Sequence, residues 1–70
     1  MNKSSNIQSS EYDADRQRLL VKFHSGSTYA YDNVPQIYHE GLQKASSPGT
    51  FLHSQIASRF RGYPVRHEPR

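Results

Sequence analysis

No cysteine occurs in this chain of 70 residues, so neither a disulfide nor a thiolate metal site can brace it. That absence fits a reducing compartment. Long apolar runs are missing too. The opening MNKSSNIQSS holds one lysine and no apolar stretch, which is unlike a signal peptide. No segment approaches the length of a membrane span. A soluble, cytoplasmic chain with no membrane partner is expected. A thick core is also excluded, because so short a chain buries only a modest share of its surface. The five tyrosines and three phenylalanines offset this, since each ring buries a large apolar area.

Acidic residues are scarce at one end. Through Thr50, five basic residues (Lys3, Arg16, Arg18, Lys22, Lys44) balance five acidic ones (Glu11, Asp13, Asp15, Asp32, Glu40). From Phe51 onward, Arg59, Arg61, Arg66 and Arg70 face Glu68 alone, so the net charge of +3 resides there. A basic end attracts nucleic acid or an acidic protein. Modest positive charge also simply keeps a small protein soluble.

Motifs of catalysis are absent. His24, His39, His53 and His67 form no chelating pair, and no metal site is expected. There is no nucleophile elbow, paired-carboxylate motif or phosphate-cradling loop. A core this small leaves little room for a deep pocket. The chain reads as a non-enzyme without catalytic residues or cofactor.

What is present is a change of period. IQSSEYD reads as a first strand, and ADRQ as a turn in which Asp13 and Asp15 bond local backbone. RLLVKFH alternates, with Leu19, Val21 and Phe23 on one face and Arg18, Leu20, Lys22 and His24 on the other. STYAYD follows a glycine turn as a third strand. NVPQIYHEGLQKA then carries Val34, Ile37, Tyr38, Leu42 and Ala45 at helical spacing. Asp32 or Asn33 suits its cap and Pro35 its first turn. Gly41 inside that helix implies a close neighbour. A second helix covers GTFLHSQIASRF, with Ser47 as N-cap, Pro48 in the first turn, and Phe51, Leu52, Ile56 and Phe60 on one side. Gly62 and Pro64 end it, and the rest is an extended or loose tail. The fold expected is α+β: a three-stranded antiparallel meander followed by two helices packed on one face. Residues 1–61 would form one domain and residues 62–70 a basic C-terminal tail.

Tyr29 and Tyr31 share a face, because strand side chains alternate. A two-residue turn at Ser25-Gly26 would point them away from Leu19, Val21 and Phe23. A three-residue loop, His24-Ser25-Gly26, would put Tyr29 opposite Val21 and Tyr31 opposite Leu19. The short turn favours Asn or Asp before glycine, and here serine stands there. The longer loop needs only a left-handed last residue, which Gly26 supplies. Both rings are therefore expected on the core face.

These residues in order (SSNI, YD, LLVKFHSGSTYAY and VPQIYHEGLQKASSPGTFL) resemble the KTSC domain, a small domain found at the C-terminus of some lysyl-tRNA synthetases and as stand-alone bacterial proteins. The likeness runs from Ser4 to Phe60. It rests on Tyr29-Ala30-Tyr31, then Val34-Pro35, Tyr38, Ser47, Gly49 and Phe51. The resemblance implies RNA binding, through the synthetase association, and assigns no catalytic residues. Unlike the fused form, this sequence carries no synthetase, and a basic segment follows the matched part.

Three candidate sites follow. Arg59, Arg61 and Arg66, with Tyr63 between, can pair phosphates and stack a base; the same arginines read as a solvated helix end whose cations suit the dipole. Lys44 would add a phosphate contact, and Lys22 and His24 would add theirs from the open sheet face. Ser4, Ser5 and Asn6 can line a polar site or cap backbone groups. Ser47 and Gly49 can offer free N–H groups to an anion or merely start a helix. The leading reading is a nucleic-acid-binding domain, RNA first. The alternatives are a protein-interaction module using Leu20 and the edge strands, or a small-molecule binder using Ser4 to Asn6 and the second helix start. No feature sets an oligomeric state.

Overall fold

The computed structural model describes residues 7–65. Three strands form where the sequence alternates: β1 (Ile7–Asp13), β2 (Arg18–Phe23) and β3 (Thr28–Tyr31). Between β1 and β2 the turn is tied locally, with the Asp15 N–H donating to Asp13 Oδ1 at 3.1 Å. Gln17 completes the reversal in a left-handed conformation, at φ 53°. After β3 come helix α1 (Gln36–Lys44) and helix α2 (Pro48–Phe51). A π-helical segment (Leu52–Ile56) continues α2. A fourth strand, β4 (Gly62–Val65), closes the sheet in the order β1-β2-β3-β4, all antiparallel.

The class is α+β, but the sheet has four strands rather than three. Gly62–Val65, expected in an extended or loose tail, pairs with β3. Proline ends a helix, yet Pro64 does not end the sheet. An edge strand tolerates proline, whose missing N–H costs nothing on the outward side.

The hairpin register is the one the three-residue loop implies. Leu19 pairs with Tyr31 and Val21 with Tyr29. Gly26 takes φ 102°, a conformation that L side chains rarely adopt. Tyr31 is buried with Leu19, Val21, Val34, Leu42, Leu52 and Ile56, and Tyr29 packs half-buried at their margin. Fully burying one such aliphatic chain contributes about 1.5–3 kcal/mol. The side chains of both helices supply the second layer over this face.

Two details of the helices depart from their pattern. Pro35, not Asp32 or Asn33, stands at the N-cap of α1, and no side chain caps it. Asn33 instead turns the chain in a left-handed conformation, at φ 61°, and Asp32 is engaged elsewhere. Ile37 is 70% exposed, so the buried stripe of α1 is narrower than the spacing implied. The close neighbour of Gly41 is Phe51: a Cβ at Gly41 would stand 2.7 Å from its ring. The glycine lets α1 and α2 touch. No described helix is long and apolar enough to cross a membrane.

Candidate functional site

Helical structure ends at Ile56, whose carbonyl accepts from the N–H groups of Arg59 and Phe60. The chain then turns directly into β4. This tight passage sets Arg59 and Arg61 beside Tyr63, which projects from β4 onto the sheet face away from the helices. The three residues line one cleft of about 440 Å³ with Asp32, Asn33 and Phe60. Arg59 and Arg61 are exposed, and neither forms an ion pair among the described residues.

Asp32 does not cancel them. Its Oδ1 accepts from Arg18 Nε at 2.8 Å and its Oδ2 from the Tyr63 hydroxyl at 2.9 Å. These bonds, Arg18 first, hold the Asp32 carboxyl below its ordinary range. The same hydrogen bond to Asp32 raises Arg18 and keeps it charged. Tyr63 is raised as well, chiefly by its bond to Asp32. The clamp joins β2, the end of β3 and β4, and it fixes the Tyr63 ring on the open face above Ala30, its cross-strand partner.

The sign of the acid response follows. A lowered folded pKa gives stability that is present above the ordinary aspartate value of about 3.9 and is lost as pH falls through the folded value. The thermal midpoint is therefore expected to drop on acidification below about pH 4. Asp32→Asn should lower the midpoint at pH 7 and flatten that drop. A variant with the same acid profile as the parent would show that the clamp contributes nothing.

The remaining expected contacts are dispersed. Lys22 lies half-buried on the open face, opposite Thr28, one cross-strand row from the Ala30–Tyr63 pair. His24 was expected beside it on that face, but the loop carries it off the strand. Lys44 stands exposed in the last turn of α1, on the helical layer. The structure thus gathers Arg59, Arg61 and Tyr63, leaves Lys22 nearby on the sheet, and separates Lys44 and His24. Arg66, Ser4, Ser5 and Asn6 lie outside the described residues.

Ser47 stands at the N-cap of α2 without capping backbone. Its hydroxyl donates to Thr50 Oγ1 at 3.0 Å. Gly49 turns the other way and lines an open groove of about 670 Å³ between the sheet's core face and α2 with its π-helical continuation. Phe23, Tyr29 and Tyr31 wall the groove from the sheet. Sequence reasoning missed the groove and the Asp32 clamp. The Arg18, Asp32 and Tyr63 types were visible, but nothing local links positions so far apart. Among the described residues no cluster of histidine and acidic side chains could hold a metal ion.

Three comparisons bear on identity. The family model described as KTSC domain matches residues 3–60. A protein of Tsukamurella paurometabola is 38% identical over 58 residues, covering 83% of this chain and 87% of that one. A lysine–tRNA ligase of Trichormus variabilis is 36% identical over 55 residues, 79% of this chain but 10% of the ligase. The crystal structure of a KTSC domain protein from Yersinia pestis superposes with a TM-score of 0.78 at 33% identity, covering 86% of this chain and 84% of that one.

Proposed function

This chain belongs to the KTSC domain family, and from that premise we propose that it is a small non-catalytic domain that binds nucleic acid, RNA before DNA. One observation carries the reading. Arg59 and Arg61, exposed and without an ion pair among the described residues, share a cleft with the Tyr63 ring, while the Asp32 carboxylate in that cleft is occupied by Arg18 and Tyr63. Two exposed guanidinium groups suit phosphate oxygens. A ring pinned by its hydroxyl offers a fixed edge or face to an unpaired base. Lys22 extends positive charge along the same sheet face. The likeness to part of a lysine–tRNA ligase favours RNA as the polymer.

Fluorescence anisotropy with a mixed-sequence single-stranded RNA tests this over a range of salt. Affinity should fall steeply as salt rises, because cations on the protein displace counterions from the strand. The double variant Arg59→Ala/Arg61→Ala should weaken binding and reduce the log–log salt slope by about 1.4, two contacts at roughly 0.7 each for a single strand. No binding at low salt, or a double variant that binds like the parent, would sink the proposal.

A further inference from the structure

The groove between sheet and helix is a second site of different chemistry. Among the described residues its walls contain no Lys, Arg, Asp or Glu, in a chain where charged residues make up 21%. On the sheet side Phe23 and Tyr29 meet edge to face, with ring centroids 5.8 Å apart at 81°. Tyr31 stands beside them. On the helix side the residues include the small Gly49, Thr50, Ser54 and Ala57, which leave the space between the layers open. A gap with aromatic walls on one side and short side chains on the other has the shape of a slot for a flat ring. Its volume falls within the range of small-molecule sites, roughly 300–1,000 Å³.

The polar atoms in the slot also point to a ligand. Tyr31 is only 6% exposed, and its hydroxyl, like that of the half-buried Tyr29, makes no hydrogen bond among the described residues and is not sealed from solvent. Both hydroxyls are therefore available to a ligand in the groove. Burial, and after it the neighbouring Tyr29, pushes the Tyr31 phenol up, so the Tyr31 hydroxyl stays protonated at neutral pH and can donate as well as accept. His53 adds an imidazole. Ser54 adds no free donor, since its hydroxyl is committed to the Thr50 carbonyl at 2.9 Å.

We infer that this groove is a binding slot for an uncharged, planar heteroaromatic ring, stacked against the aromatic wall and hydrogen-bonded at its edge by the Tyr29 and Tyr31 hydroxyls. The uncharged walls that the described residues form disfavour a ligand whose recognised part is ionic. A ring with polar edge atoms can bond these hydroxyls as it displaces their water, whereas a purely aliphatic ligand would leave them unpaired. Such a ring can be free, as in a nucleoside, or carried on a strand. This site is separate from the Arg59–Arg61–Tyr63 cleft and does not depend on it.

Adenosine, uridine and indole, each titrated into the ¹⁵N-labelled full chain, test the slot. Amide shifts are expected at Gly49, Thr50, His53 and Ser54 with at least one of them. Ala57→Phe, at an exposed position that tolerates bulk, should weaken that binding at least tenfold. Tyr31→Phe, which keeps the ring and removes one hydroxyl, should weaken it several-fold. Arg59→Ala/Arg61→Ala should leave it unchanged, which separates this inference from the RNA reading. An adenylate hexamer that reproduces the groove shifts and competes with adenosine identifies the ring as one carried on a strand; shifts from adenosine alone identify a free ring. No groove shifts with any of the three probes, or shifts indifferent to Ala57→Phe, overturn the proposal.

Discussion

Gly62→Ala is expected to destabilise the fold by about 2–3 kcal/mol, seen as a lower midpoint in urea with an unchanged slope. Gly62 opens β4 and pairs directly across from Tyr31. The tyrosine ring lies over the glycine so closely that an added Cβ would overlap Cε2 and stand 2.8 Å from Cζ. Ordinary carbon contacts begin near 3.5 Å. The ring cannot swing aside, because Tyr31 is held in the core with Leu19 and Val21. Either the ring shifts and opens the core, or the edge strand lifts. In the second case Tyr63 loses its seat above Ala30, and the cleft it shares with Arg59 and Arg61 is disturbed. Arg61→Ala, one residue earlier and exposed, should stay within about 0.5 kcal/mol of the parent. Equal midpoints for the two variants would mean that β4 does not pack as described.

Ile56→Ala should cost about 3 kcal/mol, within the 2–5 kcal/mol usual for emptying a buried isoleucine site. Ile56 is fully buried and among the largest such side chains. It ends the π-helical segment and anchors it to the core beneath the sheet. A domain of this size has roughly 4–10 kcal/mol in total, so the loss is a large share. Ile37→Ala is the matched contrast. Both isoleucines sit on helical segments with an apolar stripe, but Ile37 is 70% exposed. Its loss should fall within about 0.5 kcal/mol, and urea midpoints compare the pair. An Ile56 variant as mild as the Ile37 one would place the core elsewhere.

Those two isoleucines also show what the sequence can and cannot convey. Spacing marks an apolar stripe, but it does not say how wide a strip the opposing layer covers. Ile37 falls just off the edge. The β2–β3 register was legible because one residue decided it: Gly26 could take a left-handed conformation, and the whole face followed. β4 was not legible, since its partner is distant and Pro64 reads as an ending when seen alone. The widening of the second helix to π geometry has no local signature in LHSQI. Of the site, the residue types Arg59, Arg61 and Tyr63 could be named beforehand. Their gathering into one cleft could not, nor could the separation of Lys44 and His24 from it. Both depend on where β4 docks.

The strand order has a consequence in time as well as in space. The β1–β2 and β2–β3 hairpins close over short turns, and chain entropy opposes them little. The Tyr63–Asp32 bond joins positions 31 apart, with both helices in the intervening chain. That ring closes across the whole helical segment, a far longer loop than either hairpin turn. The cleft draws Asp32 and Asn33 from one side of this closure and Arg59, Arg61 and Tyr63 from the other. A chain that has formed its hairpins but not docked its last strand has no cleft at all. Recognition at this surface is thereby restricted to the completed fold, and a half-built chain cannot compete for the same partner there.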